Sequence, residues 1–386
     1  GSAAEGQEFK NGFELAMDEI NSQGGILGRP LHPFYVDTGS QSAAEVVKAA
    51  TYLIGKHRVH AIINGYNIGP QNSEYEPIAD AGIIYIHHNT LLQHHDTVLS
   101  DPERYFGCFM SDPAEFWYGH GLIKFLSWLR DTGQWKPDNN RIAIISGSTP
   151  YSIVIANAIK AAAADFGWTV ASGPEIVKTP TSEWRRALTK ARSVNPAVIA
   201  NTHFYAGDLA HFQLQFMENP SNSLVYVQYA GMHRSFREIA GHMSEGVIVG
   251  TVVGCLLDKI GRDFSRRYQE RFGETSSPLI GALSYAALHH YAIAASLAGG
   301  TGAPGDFDQN MKIARRLKET IYRSVLGVIN FHPLWQSAIP YPDATDDPSL
   351  GMPHLFFQIQ DHTLEGVLIA PEPYNSGRFR APPWMT

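Results

Sequence analysis

Two apolar rhythms alternate along this chain. Phe9, Phe13, Ala16, Met17 and Ile20 make a stripe down one face of a helix. Gly24-Gly25 ends that helix, because glycine takes the left-handed conformation after a helix at little cost. The run Leu31–Val36 predicts a strand, Ala43–Ile54 a second helix, and Ala61–Ile63 and Ile83–Ile86 two further strands. Between those two strands, Ser73 and Glu76 predict a capping box, with Pro77 tolerated in the first helical turn. Short unbroken apolar runs fit strands covered on both faces. A helix between two such strands makes them parallel, so their carboxyl ends share one edge, which is where open α/β sheets bind ligands. That edge would carry Tyr66, Asn67 and Gly69 after one strand and His87, His88 and Asn89 after the next.

From Gly107 the same plan starts again, with Gly107–Met110 expected as a first crossing into a second unit. Phe116–Leu129 predicts an amphipathic helix whose core face is Phe116, Gly119, Ile123, Leu126 and Leu129, leaving Trp117 off the stripe as a candidate ligand contact. Strands are expected at Arg141–Ile145, Thr169–Ile176, Ala197–Ala200 and Leu224–Val227. Helices are expected at Ile153–Phe166, Ser182–Ser193 (capped by Ser182) and Leu209–Met217. Gly246–Val253 would return the chain to the first unit, where Phe264–Phe272, Ile280–Leu297 and Met311–Tyr322 read as helices. His354–Gln360 and Gly366–Ile369 predict a hairpin, followed by an irregular proline-rich tail. The fold class is therefore α/β: two doubly wound lobes with parallel sheets.

Size and charge narrow the function. The 386 residues suffice for two domains with real cores, and 44% hydrophobic with 17% charged residues is a globular composition. A net charge of −7 without a basic tract argues against nucleic acid and anionic membranes as partners. No apolar run reaches the roughly 20 residues that span a bilayer, and no signal peptide is visible. Cys108 and Cys255 are the only cysteines, read as buried free thiols, with a disulfide left open.

No catalytic constellation is legible: there is no G-x-S-x-G elbow, phosphate loop or H-E-x-x-H. Gly300–Gly305 spells G-x-G-x-x-G, but it follows a helix and contains Pro304, so it is read as a chance match. Ser148 is read as a turn residue. His87-His88, His94-His95 and Asp96 raise a metal reading, but adjacent loop histidines point apart, so no metal and no cofactor are expected. His88 reads better as a hydrogen-bonding wall of the ligand site. Tyr66, Tyr151, Tyr205 and Tyr229 recur at predicted strand ends. Each offers a broad apolar face and one hydroxyl, which suits a small ligand with a flat part and a few polar atoms.

The run from Asn11 to Leu31, NGFELAMDEINSQGGILGRPL, together with the order of elements around it, resembles the opening of the type I periplasmic solute-binding proteins. These are relatives of the leucine/isoleucine/valine-binding protein that serve ABC importers. The resemblance extends over essentially the whole chain and implies three hinge crossings, the third at Gly327–Phe331. The lobes would then span 1–107 with 254–328 and 108–253 with 329–386, closing over a ligand cleft between them. Members normally open with a strand and a short loop ahead of the first helix, whereas this sequence starts at the helix.

The resemblance also implies roles. Tyr66–Gly69 matches the ligand loop, carrying Asn67 and Gly69 where Ser and Thr are usual. His88 and Asn89 match a position that grips a carboxylate, and Tyr151 and Tyr205 match places where aromatic residues line the site. Tyr229 falls near the position where amino-acid binders place an acid against the ligand's ammonium. The tail, PSLGMPHLFFQIQ to PEPYNSGRF, is more like amide- and urea-binding members, with aromatic acids and amino-acid derivatives open. The implied partners are a small-molecule ligand and the importer's membrane permease, for a periplasmic, non-enzymatic monomer. A cytoplasmic ligand-sensing regulator on the same scaffold, or an enzyme using the histidine-rich site, are the alternatives.

Overall fold

In the computed structural model, which describes residues 3–66 and 72–385, the chain visits two units in turn. Unit 1 comprises Gly1–Ala114 and Val253–Pro353, and unit 2 comprises Glu115–Val252 and His354–Thr386.

Unit 1 opens with α1 (Ala3–Ser22), which buries Gly12, Leu15, Ala16 and Ile20 along the expected stripe. The next segment corrects the sequence reading: Leu31–Val36 forms no strand and joins no sheet among the described residues. Its apolar run is that of a strand, yet among the described residues no strand pairs with it. Then come α2 (Ala43–Gly55), capped by Ser42, β1 (Ala61–Ile63), α3 (Tyr75–Ala81), β2 (Ile84–His87), α4 (Gln93–Ser100) and β3 (Cys108–Met110). The capping box expected at Ser73 is not formed; Glu74 holds the N-cap of α3 without a side-chain bond. The three strands form one parallel sheet in the order β1-β2-β3, with Ile62 opposite Tyr85 and Ile86 opposite Phe109.

Unit 2 follows with α5 (Phe116–Asp131), β4 (Arg141–Gly147), α6 (Pro150–Ala162), β5 (Thr169–Val177), α7 (Arg185–Arg192), β6 (Val198–Asn201), α8 (Ala206–Met217), β7 (Leu224–Gln228), α9 (Arg234–Ala240) and β8 (Ile248–Thr251). Ser182 caps nothing: α7 starts three residues later, behind Trp184. Trp184 is fully buried, and its indole donates to the Asp208 carbonyl at 2.9 Å. Burying that ring governs where the helix begins.

The second passage through unit 1 supplies α10 (Lys259–Phe272), α11 (Pro278–Leu297), α12 (Phe307–Glu319), β9 (Tyr322–Ser324), β10 (Gly327–Ile329), β11 (Pro340–Tyr341) and β12 (Met352–Pro353). α11 is apolar almost all round, as a helix buried on every side should be. Gly12 of α1 and Gly281 of α11 let the two backbones touch; a Cβ at Gly12 would collide with the Gly281 carbonyl. The crossing expected at Gly327–Phe331 is instead half of an antiparallel hairpin, β9 with β10, inside unit 1. The chain changes unit at Pro353–His354, and the other two changes fall at Ala114–Glu115 and Val252–Val253 rather than at 107 and 253. The hairpin turn is made by Val325 and Leu326, and Gly327, which opens β10, sits at φ 109°, a conformation that favours glycine.

The predicted terminal hairpin is present as β13 (Leu355–Gln358) and β14 (Val367–Ala370). It completes a seven-stranded sheet in the order β14-β13-β8-β7-β6-β4-β5, parallel from β8 to β5, with β13 antiparallel to β8. The face rings of Phe125 on α5 and Phe356 on β13 stack at 4.2 Å.

Candidate functional site

At the carboxyl edge of the unit 1 sheet the histidines settle into separate jobs. The Asn89 N–H donates to His87 Nδ1 at 3.1 Å, so His87 carries its proton on Nε2 and points it at the Tyr75 hydroxyl. Tyr75 in turn donates to His94 Nδ1 at 2.6 Å, and His94 Nε2–H donates to the Gln336 carbonyl at 3.2 Å. Every ring nitrogen in that relay has one direction of bonding, and both rings are neutral. Burial drives the pKa of His87 well below its ordinary value, with His94 and His88 adding to the push. Burial, then His95, takes His94 down to about 3. His95 lies beside His94 but outside the relay, bonding Ser337 Oγ at 2.8 Å and stacking on Trp335.

His88 is fully committed inside unit 1. Its Nε2–H donates to the Leu283 carbonyl at 3.0 Å, and its Nδ1 lies 2.9 Å from Asp112 Oδ1, with which it shares a second proton. Burial raises the Asp112 pKa, and His88 opposes the rise. Asn89 is also buried; its amide donates to Asn72 Oδ1 at 3.1 Å and to Glu74 Oε1 at 3.4 Å. Tyr66 is half-buried with its ring edge-on to Phe9 at 5.0 Å. Asn67 and Gly69 lie outside the described residues.

Unit 2 gathers aromatic rings at the corresponding edge of its own sheet. Thr149 follows β4 and caps α6 by accepting from Ser152 N, and this places Tyr151 in the first helical turn. Tyr151 packs edge-on against Tyr118 at 6.1 Å and Phe204 at 5.3 Å, and its hydroxyl accepts from Gln228 Nε2 at 3.4 Å. Gln228 ends β7, and its other amide atom accepts from Tyr226 at 2.5 Å. Burial raises the Tyr151 pKa well above the usual phenol range, so the hydroxyl stays protonated. Phe204 bridges to Tyr205 at 4.6 Å, and Tyr205 is 37% exposed. Next to it, His203 Nε2–H donates to Asp208 at 2.8 Å, and the same carboxylate oxygen accepts from Thr181 N at 2.7 Å, which pins the loop. Tyr229 sits at φ 46°, ψ −69°, with its ring 5.2 Å from His233. Trp117 is half-buried against Phe116 and His120.

Among the described residues, the one set of side chains whose donor atoms converge for an ion is Glu245, Asp361 and His362 in unit 2. His362 Nδ1 and Glu245 Oε1 already bond each other there at 2.7 Å. Among the described residues, no helix is long and apolar enough to cross a membrane.

The model of the family described as "Periplasmic binding protein" matches residues 1–338. The chain belongs to that family. Its fold is the type I periplasmic binding protein fold. A crystal structure from Silicibacter pomeroyi, assigned to a branched-chain amino acid ABC transporter, is 48% identical and covers 100% of this chain and 97% of its own, with a TM-score of 0.98. Two more distant structures share the fold. LivJ of Streptococcus pneumoniae, solved with isoleucine, gives a TM-score of 0.70 at 17% identity over 96% of both chains. An R. palustris ABC-transporter solute-binding protein, solved with benzoate, gives 0.69 at 14% identity over 100% of this chain and 95% of the other. A comparison with curated proteins returns no match.

Periplasmic binding proteins are solute receptors rather than enzymes, and the geometry suits such a role: rings and amides held by their neighbours. The sequence reading passed over Tyr118, Phe204 and Gln228. Gln228 was legible as the polar residue closing an apolar strand. Tyr118 was hidden because the helix register favoured Trp117, one position earlier.

Proposed function

We propose that this periplasmic binding protein is the extracytoplasmic receptor of an ABC importer, working as a monomer that hands a small organic solute to the membrane permease. Its solute is amide- or urea-like, or aromatic, rather than an ordinary α-amino acid. The observation that supports this is the cluster Tyr118, Tyr151, Phe204 and Gln228 at the end of the unit 2 strands, a flat apolar wall with one amide at its edge. β7 is followed there by Tyr229, not by a carboxylate that could pair with an ammonium. Tyr66, Asn67, Gly69, His88, Asn89, Trp117, Tyr205 and Tyr229 complete the proposed contact set. Within it, His88 acts by holding its loop, since both of its nitrogens are taken.

A branched-chain amino acid is the second reading, favoured by the assignment of the 48%-identical relative. A thermal-shift series across amides, ureas, aromatic acids, leucine and isoleucine separates the two. A solute at a hundred times its Kd stabilises the native state by ~2.7 kcal/mol. Aromatic or amide solutes are expected to raise Tm more than leucine does; the reverse order would replace the first reading by the second.

A further inference from the structure

Unit 2 brings two carboxylates and an imidazole together away from its aromatic cluster. Glu245 comes just before β8, and Asp361 and His362 just after β13, which runs antiparallel to β8. The three therefore meet at the amino end of β8, whereas Gln228 closes the carboxyl end of the parallel β7. Two turns hold them. Val247 N donates to the Ser244 carbonyl at 3.1 Å across a type II turn, with Glu245 at φ −65°, ψ 129° and Gly246 at φ 98°. Gly246 N then donates to the Ile359 carbonyl at 2.7 Å, which ties that turn to the end of β13. On the other side, Asp361 Oδ1 accepts from Thr363 N at 2.9 Å and from Thr363 Oγ1 at 2.6 Å.

The charges in this corner do not balance. Glu365, on the same turn, is matched by the Arg237 guanidinium at 2.8 Å. Glu245 and Asp361 have no lysine or arginine partner among the described residues; the basic group against them is His362. Glu245 Oε1 accepts from the His362 backbone N–H at 3.3 Å and from its ring Nδ1 at 2.7 Å. Glu245 Oε2 and Asp361 Oδ2 are left without a hydrogen bond among the described residues. Like charges held close together repel, and a cation between them removes the cost. Ligand atoms of the three residues all lie within 4.8 Å of one another. Ligands bonded to one zinc-like ion at roughly 2.0–2.2 Å stand up to about 4.4 Å apart, so small side-chain rotations close the set on an ion.

We propose that Glu245, Asp361 and His362 form a site for one divalent transition-metal ion of the zinc class, which staples the turn after β13 to the turn before β8. The imidazole selects the class: calcium and magnesium take oxygen shells, whereas an imidazole with two carboxylates suits zinc and its neighbours. The Nδ1 lone pair becomes available when the ring takes its Nε2–H tautomer, and the Nδ1 proton it gave to Glu245 is then no longer needed. Water completes the shell, since the His362 and Glu245 side chains are 35% and 29% exposed. Asp361 and His362 fall outside residues 1–338, which the family model matches. The site is independent of the solute reading, because Tyr151 and Gln228 stand at the other end of the strands.

The test adds zinc chloride alone to the chelator-treated chain and reads titration calorimetry, Tm and hydrogen exchange of the Gly246 and Ile359 amides. One zinc per chain is expected, with Tm raised by roughly 5 °C at a hundred times Kd and slower exchange at both amides. Magnesium and calcium at the same concentration should leave all three unchanged. His362→Gln, and Glu245→Gln combined with Asp361→Asn, should each weaken zinc by at least about tenfold and leave solute affinity as it was. Cobalt(II) in place of zinc should give a visible absorption band that is lost in His362→Gln, a readout that holds even where a variant is less stable. If zinc leaves Tm and both amides unaltered, the site is overturned. If His362→Gln binds zinc as tightly as the parent chain and protects the same amides, the ion sits elsewhere and the site is overturned. If calcium protects the two amides as well as zinc does, the imidazole takes no part and the assigned ion class is overturned.

Discussion

The two larger sheets of this protein are made of similar apolar runs yet end in different conditions. In unit 2 the strands β4, β6, β7 and β8 lie inside a seven-stranded sheet and are almost wholly buried. In unit 1 a three-stranded sheet buries β2 and β3 completely but leaves β1 half-covered beside a cavity. A strand owes its stability to what flanks and covers it more than to its own residues, so equal substitutions should have unequal costs. Ile144→Ala in β4, at 1% exposure, removes a side chain from a filled core and should cost about 2–5 kcal/mol. Ile62→Ala in β1 trims a side chain that already borders empty space and should cost roughly 1 kcal/mol. Urea midpoints with unchanged m-values measure both; equal losses would abolish the distinction.

Acid should sharpen the comparison next. Burial takes His94 and His290 to about 3 and, with His332 adding to it, His95 to about 4, and all three belong to unit 1. In the unfolded chain each would titrate near 6.5. Between those values the unfolded chain binds more protons, so stability is complete above about pH 6.5 and falls as the pH drops toward 4, by ~1.4 kcal/mol per pH unit for each histidine at most. The raised Asp112 pKa works the other way, gaining stability as it protonates. In unit 2, His203 is lowered by burial but pulled back by Asp208. Amides of β2 and β3 should therefore lose exchange protection between pH 7 and 5 before those of β6 and β7 do. His94→Gln is expected to flatten the acid limb at some cost in stability at pH 7.

A third contrast concerns the proposed contacts. Tyr151→Ala deletes a ring that touches Tyr118 and Phe204, whereas Tyr151→Phe deletes only the hydroxyl that Gln228 bonds. Calorimetry with the best solute from the thermal screen should show roughly a tenfold or greater loss for the first, about 1.4 kcal/mol or more, and a smaller loss for the second. Asn89→Ala in unit 1 should act through both binding and fold, because its amide also ties Asn72 to Glu74.

The sequence carried most helices and strands of unit 2 well, since β4 to β8 pair in parallel with strands of their own kind and periodicity alone locates them. It misjudged Leu31–Val36, whose apolar run is real but whose pairing depends on a neighbour that no local pattern encodes. The third crossing was misplaced because Gly327 marks a hairpin turn as readily as a hinge. The histidines were the least legible feature. Adjacent letters in His87-His88 and His94-His95 go to Tyr75, Asp112, Gln336 and Ser337, and only the fold decides which nitrogen meets which acceptor.

The smallest expected effect lies at Tyr229, where backbone and side chain pull apart. At φ 46°, ψ −69° a tyrosine holds a conformation that glycine enters far more readily. The site follows β7 directly, and Tyr229 N bonds the Gly250 carbonyl at 3.0 Å, so the sheet itself fixes the turn. Tyr229→Gly should relieve the strain, lose the ring contact with His233 and pay glycine's entropy in the unfolded chain, leaving a net change within about 1 kcal/mol of zero. Solute affinity should nevertheless fall, because the ring is gone. A variant that keeps its Tm and loses affinity places Tyr229 with Tyr151 as a contact residue. One that loses Tm and keeps affinity would make it a structural residue of the turn, and would leave the aromatic wall to Tyr118, Tyr151 and Phe204.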